Sequence, residues 1–231
     1  MIELLTWDSD FFGYKVGKVI DFSTDIEEII SFAKKENYRL LYAFISENND
    51  FLAKKYTTNK GVLVDEKITF LQNIPTIKIE NDLTSTYESE IIDEKLLKIG
   101  LQSGIYSRFN VDKNFKNKEF ERLYRIWIKN SVQKLIAEKV IIQKIDNNIV
   151  GLLTLGIKNN KADIGILAVD ENFRGRKIGK NLVLRVFEES KKIGQKQIQV
   201  VTQKANENAC NFYQKMGFEI EKTENIYHFW I

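Results

Sequence analysis

Three residue types are almost missing from the 231 residues: there is one cysteine, one proline and one histidine. A lone thiol, Cys210, closes no internal disulfide, and a lone His228 leaves neither a Cys/His zinc cluster nor most Ser/His/Asp arrangements, so no metal is expected. Charge of one sign is missing too. Lys+Arg number 35 against 32 Asp+Glu, a net charge of +3, which provides no polycationic surface for a nucleic-acid partner. No apolar run approaches the length that crosses a bilayer, and Met1-Ile2-Glu3 opens no basic region followed by an apolar core. A cytoplasmic protein without a membrane partner is the expectation. With 43% hydrophobic residues, the chain can build one large or two small cores.

What the sequence does hold is a basic, glycine-bearing turn, Arg174-Gly175-Arg176-Lys177-Ile178-Gly179-Lys180, between the apolar run Ile164 to Val169 and a helix-patterned segment, Lys180 to Lys192. Amides at a helix N-terminus lack intrahelical partners and sit at the positive end of the macrodipole, so a strand, such a turn and a helix suit an anion. A solvated loop is the plain alternative. The turn lacks the Gly-Lys-Ser/Thr ending of a nucleoside-triphosphate loop and the spaced glycines of a dinucleotide turn.

Around it the pattern runs strand, strand, strand, helix, strand, helix, strand. Val140 to Ile145 and Ile149 to Ile157 are strand-like and separated by the hairpin signal Asp146-Asn147-Asn148, and Lys158 to Lys161 turns into the next strand. Ile178, Leu182, Val183, Val186 and Phe187 form one helix face, Gly194 ends that helix, and Gln197 to Thr202 is the next strand. Ala209, Phe212, Tyr213 and Met216 form an apolar stripe, with Asn206 suited to the N-cap. Ile226 to Ile231 is a closing strand in which His228 is structural. Before residue 84, Thr24 to Glu27 suggests a capping box opening a helix to about Glu36. Tyr38 to Ile45 predicts a strand, Phe51 to Thr58 a helix, and Gly61 to Leu71 with Thr76 to Ile79 further strands around Pro75. Glu80 to Tyr87 reads as a polar linker.

Arg174 to Gly179 resembles the Arg/Gln-x-x-Gly-x-Gly loop of the GCN5-related N-acetyltransferases, with Lys177 where the first glycine is usual. Asn206-Glu-Asn-Ala209-Cys-Asn-Phe-Tyr213 leading to Gly217-Phe218 resembles that family's second signature. The resemblance implies an α/β fold with a mixed sheet, namely a catalytic acetyltransferase domain over 84–231 and an additional, partial acetyltransferase-like unit over 1–83. It implies acetyl-coenzyme A (acetyl-CoA) as cosubstrate, its pyrophosphate on Arg174, Gly175, Arg176, Lys177, Ile178, Gly179 and Lys180, and its pantetheine arm beside Leu167, Ala168 and Val169. Tyr213 would then protonate the departing thiolate, and Asn206 would contact the coenzyme or position its helix. From the residues alone, a core aromatic with a satisfied hydroxyl is the plain alternative for Tyr213.

Leu5-Thr-Trp7-Asp-Ser-Asp-Phe11-Phe12-Gly13 is similar to the N-terminal signature of the TDP-fucosamine acetyltransferases. Ser107-Arg108-Phe109 and Tyr124 to Ser131 resemble that family's substrate-side helices, and Val201 to Gln203 the end of its fifth strand. A nucleotide-linked amino-deoxysugar, of the dTDP-4-amino-4,6-dideoxygalactose type, is the acceptor this implies. Ser107, Arg108, Phe109 and Gln203 are the substrate candidates, since an arginine pairs with diphosphate and an aromatic ring stacks on sugar or base. Arg108 is as readily a surface arginine, Gln203 a helix cap, and Trp127 a core residue, while Trp7, Phe11 and Phe12 have the look of packing aromatics. Another amine acceptor (a polyamine, an antibiotic or a peptide) and a non-catalytic acyl-CoA sensor remain open beside the sugar reading. Edge strands permit pairing into a homodimer.

Overall fold

The computed structural model describes residues 1–77, 79 and 82–231. In chain order the elements are β1 (Ile2–Leu4), α1 (Thr6–Phe12), β2 (Lys15–Val19), α2 (Ile26–Lys35), β3 (Tyr38–Ser46), α3 (Asp50–Thr58), β4 (Val62–Asn73) and β5 (Thr84–Thr86). They continue with α4 (Glu94–Ser103), α5 (Arg108–Val111), α6 (Glu119–Val132), β6 (Lys139–Ile145), β7 (Asn148–Lys158), β8 (Lys161–Val169), a 3₁₀ turn at Glu171–Phe173, α7 (Ile178–Lys192), β9 (Gln197–Gln203), α8 (Glu207–Lys215) and β10 (Glu219–Trp230). The fold is mixed α/β, as the sequence implied, and no described helix is long and apolar enough to cross a membrane.

Contacts divide the chain into two compact units. The first comprises Met1–Ile68, Gln203–Ala205 and Lys222–Ile231; the second, Thr69–Thr202 and Asn206–Glu221. In the first, β1 runs antiparallel to β2, β2 parallel to β3, and β3 antiparallel to β10 from Leu40↔Trp230 to Ser46↔Glu224. Its core is built on Ile26, Ile29, Ala33, Leu41, Ala43, Tyr56, Tyr227 and Phe229. Helix α2 begins one residue later than its capping pattern suggests. The Asp25 carboxylate accepts from the Glu27 N–H, while the Thr24 hydroxyl donates to Asp21. His228 is fully buried in β10, consistent with a structural strand residue.

In the second unit β5, β6, β7 and β8 are successively antiparallel, and β8 is parallel to β9. The hairpins around Asp146-Asn147 and Asn159-Asn160 form where expected, all four residues taking positive φ. Leu152 faces α4 and α6 in a core with Leu96, Ile99, Ile128 and Ile166, whereas Gly151 faces α7, so the two helical layers cover opposite sheet faces. A Cβ on Gly151 would lie 2.6 Å from Ile178 and 3.1 Å from Leu182, a close approach that only glycine permits. The segment expected as a linker is partly structured: Thr84–Thr86 pairs with β6, and Tyr87 follows as a ring packed on that core. Glu80 and Asn81 of that linker lie outside the described residues. So does Lys78 of the expected Thr76 to Ile79 strand, whose Thr76, Ile77 and Ile79 belong to no strand.

Candidate functional site

Strand β8 is irregular where chemistry is expected. Its register against β7 shifts between Leu153↔Leu167 and Leu155↔Ile164, so Gly165 and Ile166 together oppose Thr154. On the other side, pairing with β9 ends at Ile164↔Val200. The Asp170 N–H donates to Val150 O (2.9 Å) and the Ile166 N–H to Thr154 Oγ1 (2.9 Å), both toward β7. By alternation the N–H groups of Leu167 and Val169 point the opposite way, along an edge that β9 has left. An extended ligand can lie along that edge as a strand would.

The turn after β8 is held from several directions. Asp170, 2% exposed, accepts from the backbone and side-chain amides of Asn172 and pairs with Lys95 of α4 at 2.5 Å. The Lys95 ammonium, first among these contacts, holds the carboxyl below its usual range. Gln102, also on α4, accepts the Glu171 N–H through Oε1 (3.2 Å). Arg174 donates through Nε to Val169 O (3.3 Å), and the Arg176 guanidinium lies 5.1 Å from the Phe173 ring centroid.

Gly175 (φ 78°) and Lys177 (φ 61°) both adopt the left-handed conformation, which turns successive amides toward one side before α7 begins. The first bond into that helix is Asn181 N–H to Lys177 O (3.0 Å). Among the described residues none accepts from the N–H groups of Gly175, Arg176, Lys177, Ile178, Gly179 or Lys180. Lys177, the departure from the glycine pattern, keeps the conformation that glycine would take freely.

At Gly179, three elements converge: a Cβ there would lie 3.4 Å from Phe212 of α8 and 3.9 Å from Val169 of β8. Asn206 caps α8, its Oδ1 accepting the Ala209 N–H (3.2 Å), so it positions the helix. Tyr213 is 5% exposed and ringed by Phe70, Phe212 and Phe218 at centroid distances of 5.7, 5.4 and 5.6 Å. Burial foremost, and Cys210 second, raise its hydroxyl above the usual tyrosine range, so it stays protonated at neutral pH. Burial likewise raises the Cys210 thiol, which is a poor nucleophile in that state.

Residues 103–218, half of the chain, match the Acetyltransferase (GNAT) family. The chain belongs to that family. Over 137 residues it is 23% identical to the spore coat polysaccharide biosynthesis protein SpsD of Bacillus subtilis, covering 59% of this chain and 47% of that one. It is 30% identical over 116 residues to a spermidine N(1)-acetyltransferase of Thermoplasma acidophilum, covering 45% of this chain and 72% of that one. The chain thus spans about half the length of the first curated relatives it matches. A GCN5-related N-acetyltransferase from Sphaerobacter thermophilus shares the fold, with a TM-score of 0.57 at 13% identity over 88% of this chain and 65% of that one.

GNAT proteins use acetyl-CoA, and the residues present fit it. Six unpaired amides at the cationic start of α7 suit a diphosphate, and the open edge of β8 suits an amide-bearing arm. Among the described residues no group of three or more His, Cys, Asp or Glu could hold a metal.

The acceptor candidates lie on α5 and at the end of β9. Ser107 caps α5, accepting the Phe109 N–H at 3.4 Å; Phe109 is 7% exposed against Phe115 and Trp127; and Arg108 lies over its neighbour's ring, 4.6 Å from the centroid. Trp127 packs on the second-unit core, as a core residue should. Gln203 ends β9 and belongs to the first unit. Sequence reasoning missed Lys95, Gln102 and Asp170, whose pairing only the tertiary fold reveals, and Thr154, the sole hydroxyl in the apolar run Ile149 to Ile157.

Proposed function

We propose that this GNAT protein transfers acetyl from acetyl-CoA to the amine of a nucleotide-linked amino-deoxysugar, of the dTDP-4-amino-4,6-dideoxygalactose type, in cytoplasmic synthesis of a cell-surface polysaccharide. The observation that carries the acceptor class is the charge of the α5–α6 segment. Between Arg108 and Lys129 stand seven basic residues and three acidic ones, a local net of +4 in a chain whose total is +3. Of the acids, Asp112 and Glu119 are buried and cap backbone amides, whereas Lys113, Lys116, Lys118, Arg122, Arg125 and Lys129 are exposed. A surface of this sign attracts a diphosphate and repels a polyamine. The polysaccharide context named for the Bacillus relative agrees with the sugar reading.

When bound, acetyl-CoA supplies an acetyl group on a thioester. The amides of Gly175 to Lys180, with Arg174 and Arg176, hold the diphosphate; the Leu167 and Val169 edge aligns the arm; and the Leu167 N–H polarises the thioester carbonyl. The neutral acceptor amine attacks that carbonyl, the C–N bond forms and the C–S bond breaks. Tyr213 gives its proton to the leaving sulfur, and the amine's proton passes to water. We read the region before residue 84 as partial and GNAT-like, with no basic glycine loop comparable to Arg174 to Gly179; its compact unit ends at Ile68 and takes in Gln203–Ala205 and Lys222–Ile231.

The similarity to a spermidine acetyltransferase supports a second reading, a polyamine acceptor. Thiol release from acetyl-CoA, measured against dTDP- and UDP-linked 3-amino and 4-amino sugars with spermidine and peptides as controls, separates the two. Turnover confined to amino-sugar nucleotides is expected. Turnover on spermidine alone refutes the sugar reading, and silence with acetyl-CoA still bound favours a sensor.

A further inference from the structure

We propose that Thr154 is a positioning residue for acetyl transfer: its hydroxyl stands in for a strand carbonyl and holds open the edge of β8 on which the thioester is polarised. In an antiparallel pair, the Ile166 N–H would donate to the backbone carbonyl of the residue opposite. Here it donates to Thr154 Oγ1 at 2.9 Å, from a side chain 3% exposed, and the extra residue of the bulge, Gly165, is thereby accommodated in β8. Gly165 is matched to this: a Cβ there would lie 3.0 Å from the same hydroxyl oxygen, so glycine leaves the threonine its bonding position. The bulge coincides with the end of the β8–β9 ladder. The last pair is Ile164↔Val200, and from Gly165 onward β8 follows β7 alone. A bulge sharpens local twist and ends pairing on the bulged strand, which is how one hydroxyl separates two strands.

The consequence is directional. Ile166 and Asp170 face β7, so the N–H groups of Leu167 and Val169 both face the opening, with Val169 O taken by Arg174; of the two, Leu167 is the one next to the bulge and the donor that the acetyl-transfer reading assigns to the thioester carbonyl. Thr154 touches neither substrate. It acts through the register it imposes, and this role rests on the acetyl-transfer reading above.

Thr154→Val keeps the shape and removes the acceptor, and Thr154→Ser keeps the acceptor. With Thr154→Val, kcat should fall at least about tenfold, a loss of roughly 1.4 kcal/mol in transition-state stabilisation. The Kd for coenzyme A should stay within about threefold, because the diphosphate seat lies on a separate turn. Thr154→Ser should restore most of the rate. With acetyl-CoA carrying ¹³C at the carbonyl, the bound stretch should lie below its value in water in the wild type and in Thr154→Ser, and move back toward it in Thr154→Val. Should Thr154→Val not fold, Thr154→Ala serves for both readouts. An unshifted carbonyl and an unchanged kcat in the valine variant overturn the proposal; so does equal loss of kcat and coenzyme affinity, which would mark a purely structural residue. Amide exchange in the unliganded wild type separates this from a failure of the acetyl-transfer reading. A protected Ile166 beside a freely exchanging Leu167 supports the bulge even if no acceptor is turned over, and a protected Leu167 removes the open edge.

Discussion

Replacing Tyr213 by phenylalanine removes one oxygen from a site otherwise lined by rings. Phe70, Phe212 and Phe218 surround the side chain, so the substituted ring meets the same neighbours and stability should change by about 1 kcal/mol or less, the typical worth of one hydrogen bond. The rate should respond far more. A positioned general acid contributes roughly 10²- to 10⁴-fold, or about 2.7–5.4 kcal/mol of barrier. Thiol release under single-turnover conditions should therefore slow at least a hundredfold, while the Kd for coenzyme A is unchanged. The pH profile adds a second check. Burial raises the hydroxyl above the ordinary tyrosine value of about 10, so the proton is retained until the pH passes that raised value. Wild-type kcat should climb as the acceptor amine loses its proton and show no descending limb below about pH 10. A Y213F enzyme within twofold of wild type, or a wild-type limb falling between pH 8 and 9, would refute the acid role.

Reversing both arginines of the turn, R174E with R176E, should weaken acetyl-CoA binding at least tenfold by calorimetry and leave the melting temperature almost unchanged, since both side chains are exposed. Lys177→Gly should raise the melting temperature by about 2–4 °C, because relief of a left-handed lysine (φ 61°) is worth about 1 kcal/mol; calorimetric scanning checks this. Gly61→Ala should destabilise the first unit by roughly 1–3 kcal/mol in urea unfolding, since a Cβ would lie 2.7 Å from Phe229 and 2.9 Å from the Tyr56 carbonyl. Asp170, held below its usual range by Lys95, gives stability that is present above the ordinary carboxylate value of about 3.9 and lost as the pH falls through its lowered folded value. Asp170→Asn should flatten that acid limb of the stability curve.

The second unit was largely legible in the sequence because its signals are local. Asp146-Asn147 and Asn159-Asn160 tolerate positive φ and so announce hairpins, and the stripe from Ile178 to Phe187 announces a buried helix face. Asn206 capping α8 follows from side-chain chemistry three residues deep. What stayed hidden depends on distant partners. The bulge at Gly165-Ile166 needs a hydroxyl twelve residues away, and the loop anchor at Asp170 needs Lys95 on another helix. Helix α1 is a related case: Trp7, Phe11 and Phe12 do pack, each ring against the next, yet the helix buries no residue fully and Trp7 is 48% exposed. Local aromatic content says nothing about which face a short helix turns to solvent.

Strand β3 acquires its neighbour β10 only from residues 224–230, although its unit, apart from Gln203–Ala205 and Lys222–Ile231, is complete by Ile68. On a ribosome adding about 5–20 residues each second, the roughly 150 residues in between take on the order of 8–30 s to appear. For that interval the run Leu40-Leu41-Tyr42-Ala43-Phe44-Ile45 presents an unpaired, strongly apolar edge. A nascent or prematurely released chain is therefore a natural client for chaperones that mask hydrophobic strands, and production of the protein should depend on translation speed and temperature more steeply than its folded stability would suggest.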